Sequence, residues 1–386
     1  MIDRLFNPLK SSSYFLFGAR GTGKSYLLRH LLSGSPVHYI DLLNSDYYDQ
    51  LSIRPQSLLE IIAANKDKKI VIIDEVQKIP SLLDAVHKSL EEMPSIQYIL
   101  TGSSARKLKR GSANMLAGRA AIYELHPLSY LEIDEDFDLN IALSFGSLPK
   151  VWDKEMTDEE RKDYLRAYAR SYLKEEILEE QLIRKLEPFQ RFLPIAAQSS
   201  GKALNYSKIA ADVGVAPQTI QSYFDILEDT LIGYRLSAYH GSVRKQEKQE
   251  AKFYLFDLGI LSALERTLEV PMVEGTYAFG RRFEHFIIQE IYKLSRYYYP
   301  DNQFYHYQTK GGREIDLIID CPGEKLVLIE IKSKTHIQPD DVRHLNALVD
   351  DFPNAKAFCL SRDPIEKKID KTICFPWKSG IKQILN

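Results

Sequence analysis

Residues 18–25 read Gly-Ala-Arg-Gly-Thr-Gly-Lys-Ser. They follow the apolar run Ser13-Tyr14-Phe15-Leu16-Phe17 and precede a helical stretch from Tyr26 to Leu32. The eight residues fit G-x-x-x-x-G-K-S in the strand–loop–helix context the pattern requires. Glycines let backbone N–H groups turn inward around a phosphate chain, and the start of the helix adds partial positive charge. Gly18, Ala19, Arg20, Gly21, Thr22 and Gly23 are therefore expected to cradle a nucleoside triphosphate. Lys24 is expected to reach its β and γ phosphates, and Ser25 to hold Mg²⁺. ATP and Mg²⁺ are the expected cofactors.

Two further strands complete this reading. Lys69 to Ile73 is apolar and ends in Asp74-Glu75. At the carboxyl end of a parallel strand such acids face the nucleotide crevice. Asp74 is expected to hold Mg²⁺ and Glu75 to polarise the attacking water. Gln97 to Leu100 ends in Thr101-Gly102-Ser103-Ser104, where a hydroxyl can sense the γ-phosphate; the same residues also suit a helix cap. Met115 to Arg119 then precedes the strand Ala121 to Leu125. Together these segments resemble an AAA+ ATPase. The resemblance implies that Arg119 reaches the γ-phosphate of a neighbouring subunit, and so a homo-oligomer with ATP sites at subunit interfaces. A surface salt bridge is the competing reading of Arg119, since Arg106 and Arg110 lie nearby.

The chain has 386 residues, enough for two or three domains, and is 44% hydrophobic and 27% charged with a net charge of −2. Any nucleic-acid contact must then come from local patches and not from the overall charge. No apolar run reaches the roughly 18 residues a membrane span needs. The N-terminal residues lack the apolar core of a signal peptide. Cys321, Cys359 and Cys374 have no paired spacing. A cytoplasmic protein without disulfides, zinc or membrane contact is expected.

The middle of the chain turns helical. Tyr164, Leu165, Tyr168, Tyr172, Leu173, Ile177 and Leu178 recur at three- to four-residue spacing, the stripe of an amphipathic helix. By the AAA+ resemblance it belongs to a lid. From Tyr206 a short helix ends at Gly214 and a second begins at Pro217. A strand at 231–236, a lysine-rich loop and a strand at 253–256 follow. This order resembles a winged helix, with Gln218, Thr219, Gln221 and Ser222 facing a groove and Arg244, Lys245 and Lys248 meeting phosphates. A packing or partner-binding module is the other reading.

The last third carries charge where charge is expensive. Asp316 sits in Ile315 to Ile319, and Glu330 and Lys332 sit in Val327 to Lys332; Pro322-Gly323 suits a hairpin between the two runs. Alternate strand residues share a face, so Glu330 and Lys332 point together and Asp316 can meet them. Converging carboxylates repel unless a cation lies between them, and oxygen donors suit Mg²⁺ or Mn²⁺. A preceding helix places Phe283, Phe286, Ile287, Ile291 and Leu294 on one face, with Glu284 beside it. The spacing D-x(13)-E-x-K resembles the PD-(D/E)xK restriction-endonuclease-like fold. That resemblance implies Asp316, Glu330 and Glu284 as metal ligands and Lys332 as the catalytic lysine. Lys310 and Arg313 stand nearby for a DNA backbone.

The whole order resembles a broad prokaryotic family of α/β class: a P-loop AAA+ core (1–126), a helical lid (127–193), a winged helix (194–260) and a nuclease-like domain (261–386). The expected function is an ATP-hydrolysing, DNA-binding protein with a Mg²⁺-dependent deoxyribonuclease domain, in genome defence or repair. The alternative is a nucleotide-switched DNA- or protein-binding regulator with an inactive nuclease fold.

Overall fold

The computed structural model describes residues 2–9, 11–65, 67–104, 108, 116–172, 186–240 and 250–385. Arg106, Arg110, Met115, Leu173, Ile177, Leu178, Arg244, Lys245 and Lys248 lie outside these residues. The described residues form two compact units: those up to 128 with 225–232, and the remainder.

The first unit is built on five strands, β1 (Ser13–Phe17), β2 (Val37–Asp41), β3 (Ile70–Asp74), β4 (Gln97–Gly102) and β5 (Ala120–Glu124), in the order β2-β3-β4-β1-β5. Every pairing is parallel. The near-continuous apolar runs of β1, β3 and β4 are what a sheet covered on both faces demands. Phe15, Ile73 and Leu100 are fully buried. Parallel strands end on one edge, so the loop after β1, Asp74 and Thr101 come together there. Helix Lys24–Leu31 starts directly after Gly23, whose φ of 93° turns the chain out of the loop.

The second unit holds one eight-stranded mixed sheet. Its strands are β6 (Gly233–Ala238), β7 (Lys252–Leu255), β8 (Gln303–Gln308), β9 (Glu314–Asp320), β10 (Val327–Lys332), β11 (Lys356–Ser361), β12 (Lys367–Ile369) and β13 (Thr372–Pro376). They run in the order β12-β13-β11-β10-β9-β8-β6-β7. The expected hairpin is the antiparallel pair β9–β10, with Leu317 opposite Ile329. The expected 283–294 helix spans Tyr277–Tyr298, and Phe283, Phe286, Ile287, Ile291 and Leu294 are all buried. Burying side chains of this size contributes about 1.5–3 kcal/mol each.

The described middle segment, residues 225–232 apart, belongs to this second unit, and the sequence boundaries at 193/194 and 260/261 are drawn inside it. Helix Asp158–Ala167 starts at a Thr157–Glu160 capping box and runs into a π-turn at Tyr168–Tyr172; Leu165 and Tyr168 are buried. Helix Tyr206–Val213 ends at Gly214 in the left-handed region, and helix Pro217–Asp229 follows. Strands β6 and β7 then pair antiparallel. Phe224, from the second of these helices, packs edge-on against Phe192 and Phe253. β6 also pairs parallel with β8, which joins this segment to the C-terminal strands in one sheet. Among the described residues no helix is long and apolar enough to cross a membrane, and the three cysteines are free.

Candidate functional site

At the edge of the first sheet the phosphate loop is closed around its own lysine. The Lys24 ammonium donates to the Gly18 carbonyl at 2.6 Å and lies 3.5 Å from that of Ala19. Thr22 Oγ1 donates to the Ala19 carbonyl at 2.8 Å. A Cβ at Gly18 would stand 2.6 Å from the Leu125 carbonyl, so only glycine fits there. Gly21 and Gly23 both have positive φ. Arg4 anchors the loop from outside, donating to the carbonyls of Thr22 at 2.8 Å and His126 at 2.6 Å. The expected loop residues, from Gly18 to Ser25, are therefore gathered in one turn, with Arg20 exposed at its tip.

Asp74 is buried and accepts from three hydroxyls. Ser25 Oγ donates at 2.8 Å, Tyr39 from the middle of β2 donates to the same oxygen, and Thr101 donates to the other. Ser25 and Asp74 are the oxygen donors that suit Mg²⁺. Burial, then the hydrogen bond to Asp74, pushes the Tyr39 hydroxyl well above its ordinary range, so it stays protonated and donates to Asp74. Glu75 has a φ of 61°, a left-handed backbone that costs a non-glycine residue about 1 kcal/mol or more. Its carboxylate accepts from the side-chain amide of Gln77, whose nitrogen also donates to Ser103 Oγ at 3.2 Å. Gln77 is buried against Gly102, where a Cβ would meet its Oε1 at 2.3 Å. Arg119 is exposed after the turn Leu116–Gly118, paired with Glu91 at 3.0 Å and with His87.

Sequence reasoning missed Tyr39, Gln77 and Arg4. Tyr39 lies in an ordinary strand and Gln77 in a three-residue turn, so neither has a periodic signal. Only the parallel register, which sets Asp41 beside Asp74, hints that β2 reaches the site.

The second cluster lies where β9 and β10 separate. Their ladder ends at Leu317 and Ile329, and the next residues are Asp316 and Glu330. The Asp316 carboxylate then takes the N–H of Ile331 at 2.7 Å. Glu330 pairs with Lys332 at 2.5 Å, and its Oε2 is buried without a hydrogen-bond partner. Glu284 reaches the cluster from helix Tyr277–Tyr298. Lys252 on β7, which the sequence reading did not single out, is buried and pairs with Glu314. Lys310 and Arg313 are exposed at the tip of the β8–β9 hairpin.

Desolvation first, and then the charge of Asp316, pushes both Glu284 and Glu330 up to about 8. Asp316 is also raised, chiefly by burial, against the pull of Lys332 and Lys252. Desolvation lowers Lys252, but Glu284, Glu314 and Asp316 more than offset it and hold the ammonium charged. Among the described residues, no three His, Cys, Asp or Glu side chains stand ready as a closed metal cluster. The donor chemistry nonetheless fits a hard divalent cation: the carboxylates crowd one another, and one buried oxygen has no partner.

Three segments of the chain match known families: an AAA domain over residues 10–134, a domain of unknown function (DUF8612) over 136–270, and another (DUF4143) over 279–379. An uncharacterized protein of Methanocaldococcus jannaschii is 23% identical over 384 residues, covering 86% of this chain and 77% of the relative. One from Haemophilus influenzae is 24% identical over 359 residues, covering 85% of each. Similar solved structures include AMPPCP-bound DnaA from Aquifex aeolicus, with TM-score 0.30 and 15% identity over 56% of this chain and 81% of that one. Another is a signal transduction ATPase with numerous domains from Pyrococcus horikoshii, with TM-score 0.24 and 15% identity over 74% and 47%. The AAA match spans the phosphate loop, Asp74, Glu75 and Thr101. The first unit is a P-loop ATPase domain of the AAA type.

Lys24→Ala is expected to abolish ATP hydrolysis and weaken nucleotide binding, because backbone amides alone do not neutralise the β and γ phosphates. Glu75→Gln should retain binding and lose turnover. If Glu75 polarises the attacking water, Gln77→Ala should lower kcat about tenfold or more with little change in KM, since the carboxylate loses the Gln77 amide that orients it. Steady-state ATPase assays separate the three, and wild-type kcat in Gln77→Ala would remove Gln77 from this role.

The raised carboxyls also set a pH dependence. A carboxyl whose folded pKa exceeds its unfolded value of roughly 4.3 favours folding fully below that value. That contribution is lost as pH rises through about 8, the value for Glu284 and Glu330. In chelator, the melting temperature should therefore fall between pH 6 and pH 9. Glu284→Gln and Glu330→Gln should each flatten the slope, which differential scanning fluorimetry reads directly.

Proposed function

We propose that this chain is an ATP-hydrolysing, DNA-binding protein whose C-terminal segment is a metal-dependent nuclease of restriction-endonuclease-like fold. One observation carries the nuclease reading: Asp316 and Glu330 meet at the split between β9 and β10, with Glu284 from the neighbouring helix and Lys332 paired to Glu330. Asp316, Glu330 and Glu284 are the residues to hold Mg²⁺ or Mn²⁺. Such an ion, when bound, neutralises the acids and polarises phosphoryl oxygens and water. Lys332 adds a positive charge beside the position a phosphate would take. The helix pair at 206–229 and the β6–β7 hairpin support a winged-helix module for DNA. Genome defence or repair is the setting that such a combination suits.

The competing reading is a nucleotide-switched binder with an inert nuclease fold. It draws on Lys252, whose ammonium already pairs within the acid cluster. Thermal shift and cleavage decide between the two. Mg²⁺ or Mn²⁺ should raise the melting temperature of the full chain, and Glu330→Ala should erase the rise. Lys332→Ala should keep the metal response while cleavage of plasmid or single-stranded DNA falls. No metal response, with no cleavage in the presence of ATP, would leave the inert binder.

We read Arg119 as acting across a subunit boundary in a homo-oligomer, exchanging Glu91 and His87 for a γ-phosphate. Arg119→Ala should then leave ATP affinity nearly intact and cut turnover. Mixing it with Glu75→Gln should restore part of the activity at mixed interfaces. No recovery at any ratio, with mixed assembly confirmed, would make Arg119 a structural arginine.

A further inference from the structure

Glu284 and Asp316 line a cavity of about 300 Å³ that is also lined by the turn Ser200–Lys202, just before helix Tyr206–Val213. The helix-pair segment and the nuclease-like strands thus line one space. Its cations divide into two groups. Lys252 pairs with Glu314, and Arg282 pairs with Glu265 at 2.7 Å. Lys202 and Arg281 have no carboxylate partner among the described residues. Arg281 donates to the Ser200 carbonyl at 2.7 Å, and its guanidinium lies 6.0 Å from the centre of the Tyr277 ring. The Lys202 ammonium is held below its ordinary value by desolvation first and then by Arg281. Arg281 thus adds to the cost of the Lys202 charge, Glu265 in the same cavity offsets it only in part, and a bound anion would relieve both cations.

Tyr277 is the second observation. It lines the same cavity, yet it is 79% exposed, and Val270 in the same lining is 60% exposed. The open ring stands beside Arg281, so the cavity mouth presents an aromatic face and a cation together. An aromatic face next to phosphate-binding cations is the arrangement that holds unpaired nucleotides, where each base offers a face to stack. In a duplex the bases are stacked on one another, and a cavity this small sits at the low end for small ligands.

We propose that this cavity receives an unpaired nucleic-acid strand, with a base on Tyr277 and phosphodiesters on Lys202 and Arg281, leading the backbone onto Glu284 and Asp316. The inference rests on the reading of those acids as a phosphodiester site. It makes the substrate a single strand or a frayed end.

The test uses the full chain in chelator without nucleotide, and fluorescence anisotropy with labelled single-stranded and duplex oligonucleotides of the same sequence. The wild type should bind the single strand more tightly than the duplex. Tyr277→Ala should weaken single-strand binding about tenfold, while Tyr277→Phe, which keeps the ring, stays near the wild type. Lys202→Gln and Arg281→Gln should each lower the salt dependence of single-strand binding by about 0.7 in slope. All four variants should keep the wild-type ATPase rate, since none touches the phosphate loop. Equal or tighter duplex binding, or wild-type affinity in Tyr277→Ala, overturns the inference. A lost metal response alongside Tyr277-dependent binding would instead remove the nuclease reading and leave the strand site standing.

Discussion

The hydrogen bond from the Ile331 N–H to the Asp316 carboxylate is the constraint on which the C-terminal unit turns. Below it, β9 and β10 form a regular antiparallel ladder of buried aliphatic residues. Above it, the ladder would need an ordinary pair, and a side-chain oxygen takes the place of the backbone carbonyl. The strands separate at that point without an unsatisfied amide. The gap is filled by carboxylates and lysines, because a strand ending against water and charge tolerates polar groups that its apolar middle does not. The same hydrogen bond fixes the orientation of Asp316, so Glu330 and Glu284 must arrange themselves around it.

The charge balance of that gap follows from geometry. Glu284, Glu314, Asp316 and Glu330 supply four carboxyls, and Lys252 and Lys332 supply two ammonium groups. With two acids raised to about 8, the cluster can approach neutrality at neutral pH by holding protons. A divalent ion would do the same by displacing them. The arrangement accepts either solution, which is why a metal site and an ion-pair knot can be drawn on the same residues. The first unit handles the same problem differently. Asp74 is buried by three hydroxyl donors, which can rotate away or be replaced by water around a cation without leaving a charge stranded.

Much of this was legible in the sequence where chemistry and periodicity coincide. The phosphate loop is contiguous, and its glycines, lysine and serine declare their roles by spacing alone. The β9–β10 hairpin was legible because its turn and its alternation agree, and the long helix because its apolar face repeats every three to four residues. What escaped were residues whose role comes only from register. Tyr39 reaches Asp74 because β2 pairs with β3. Gln77 reaches Glu75 because a left-handed residue folds a short turn back on the strand end. Lys252 enters the acid cluster because β7 closes the far edge of the sheet. None of these contacts lies within one element, so no local pattern records them.

Sheet continuity also bears on how the chain divides. A boundary at residue 260 separates a hairpin from a nuclease-like domain by composition, yet β6 pairs with β8 and the strands from β7 to β12 form one sheet. Lys252 is carried by the hairpin and sits among the acids of the C-terminal strands. The turn at 200–202 lines the same cavity as Glu284 and Asp316. Segments that would be separable modules in a linear reading line one cavity in this fold.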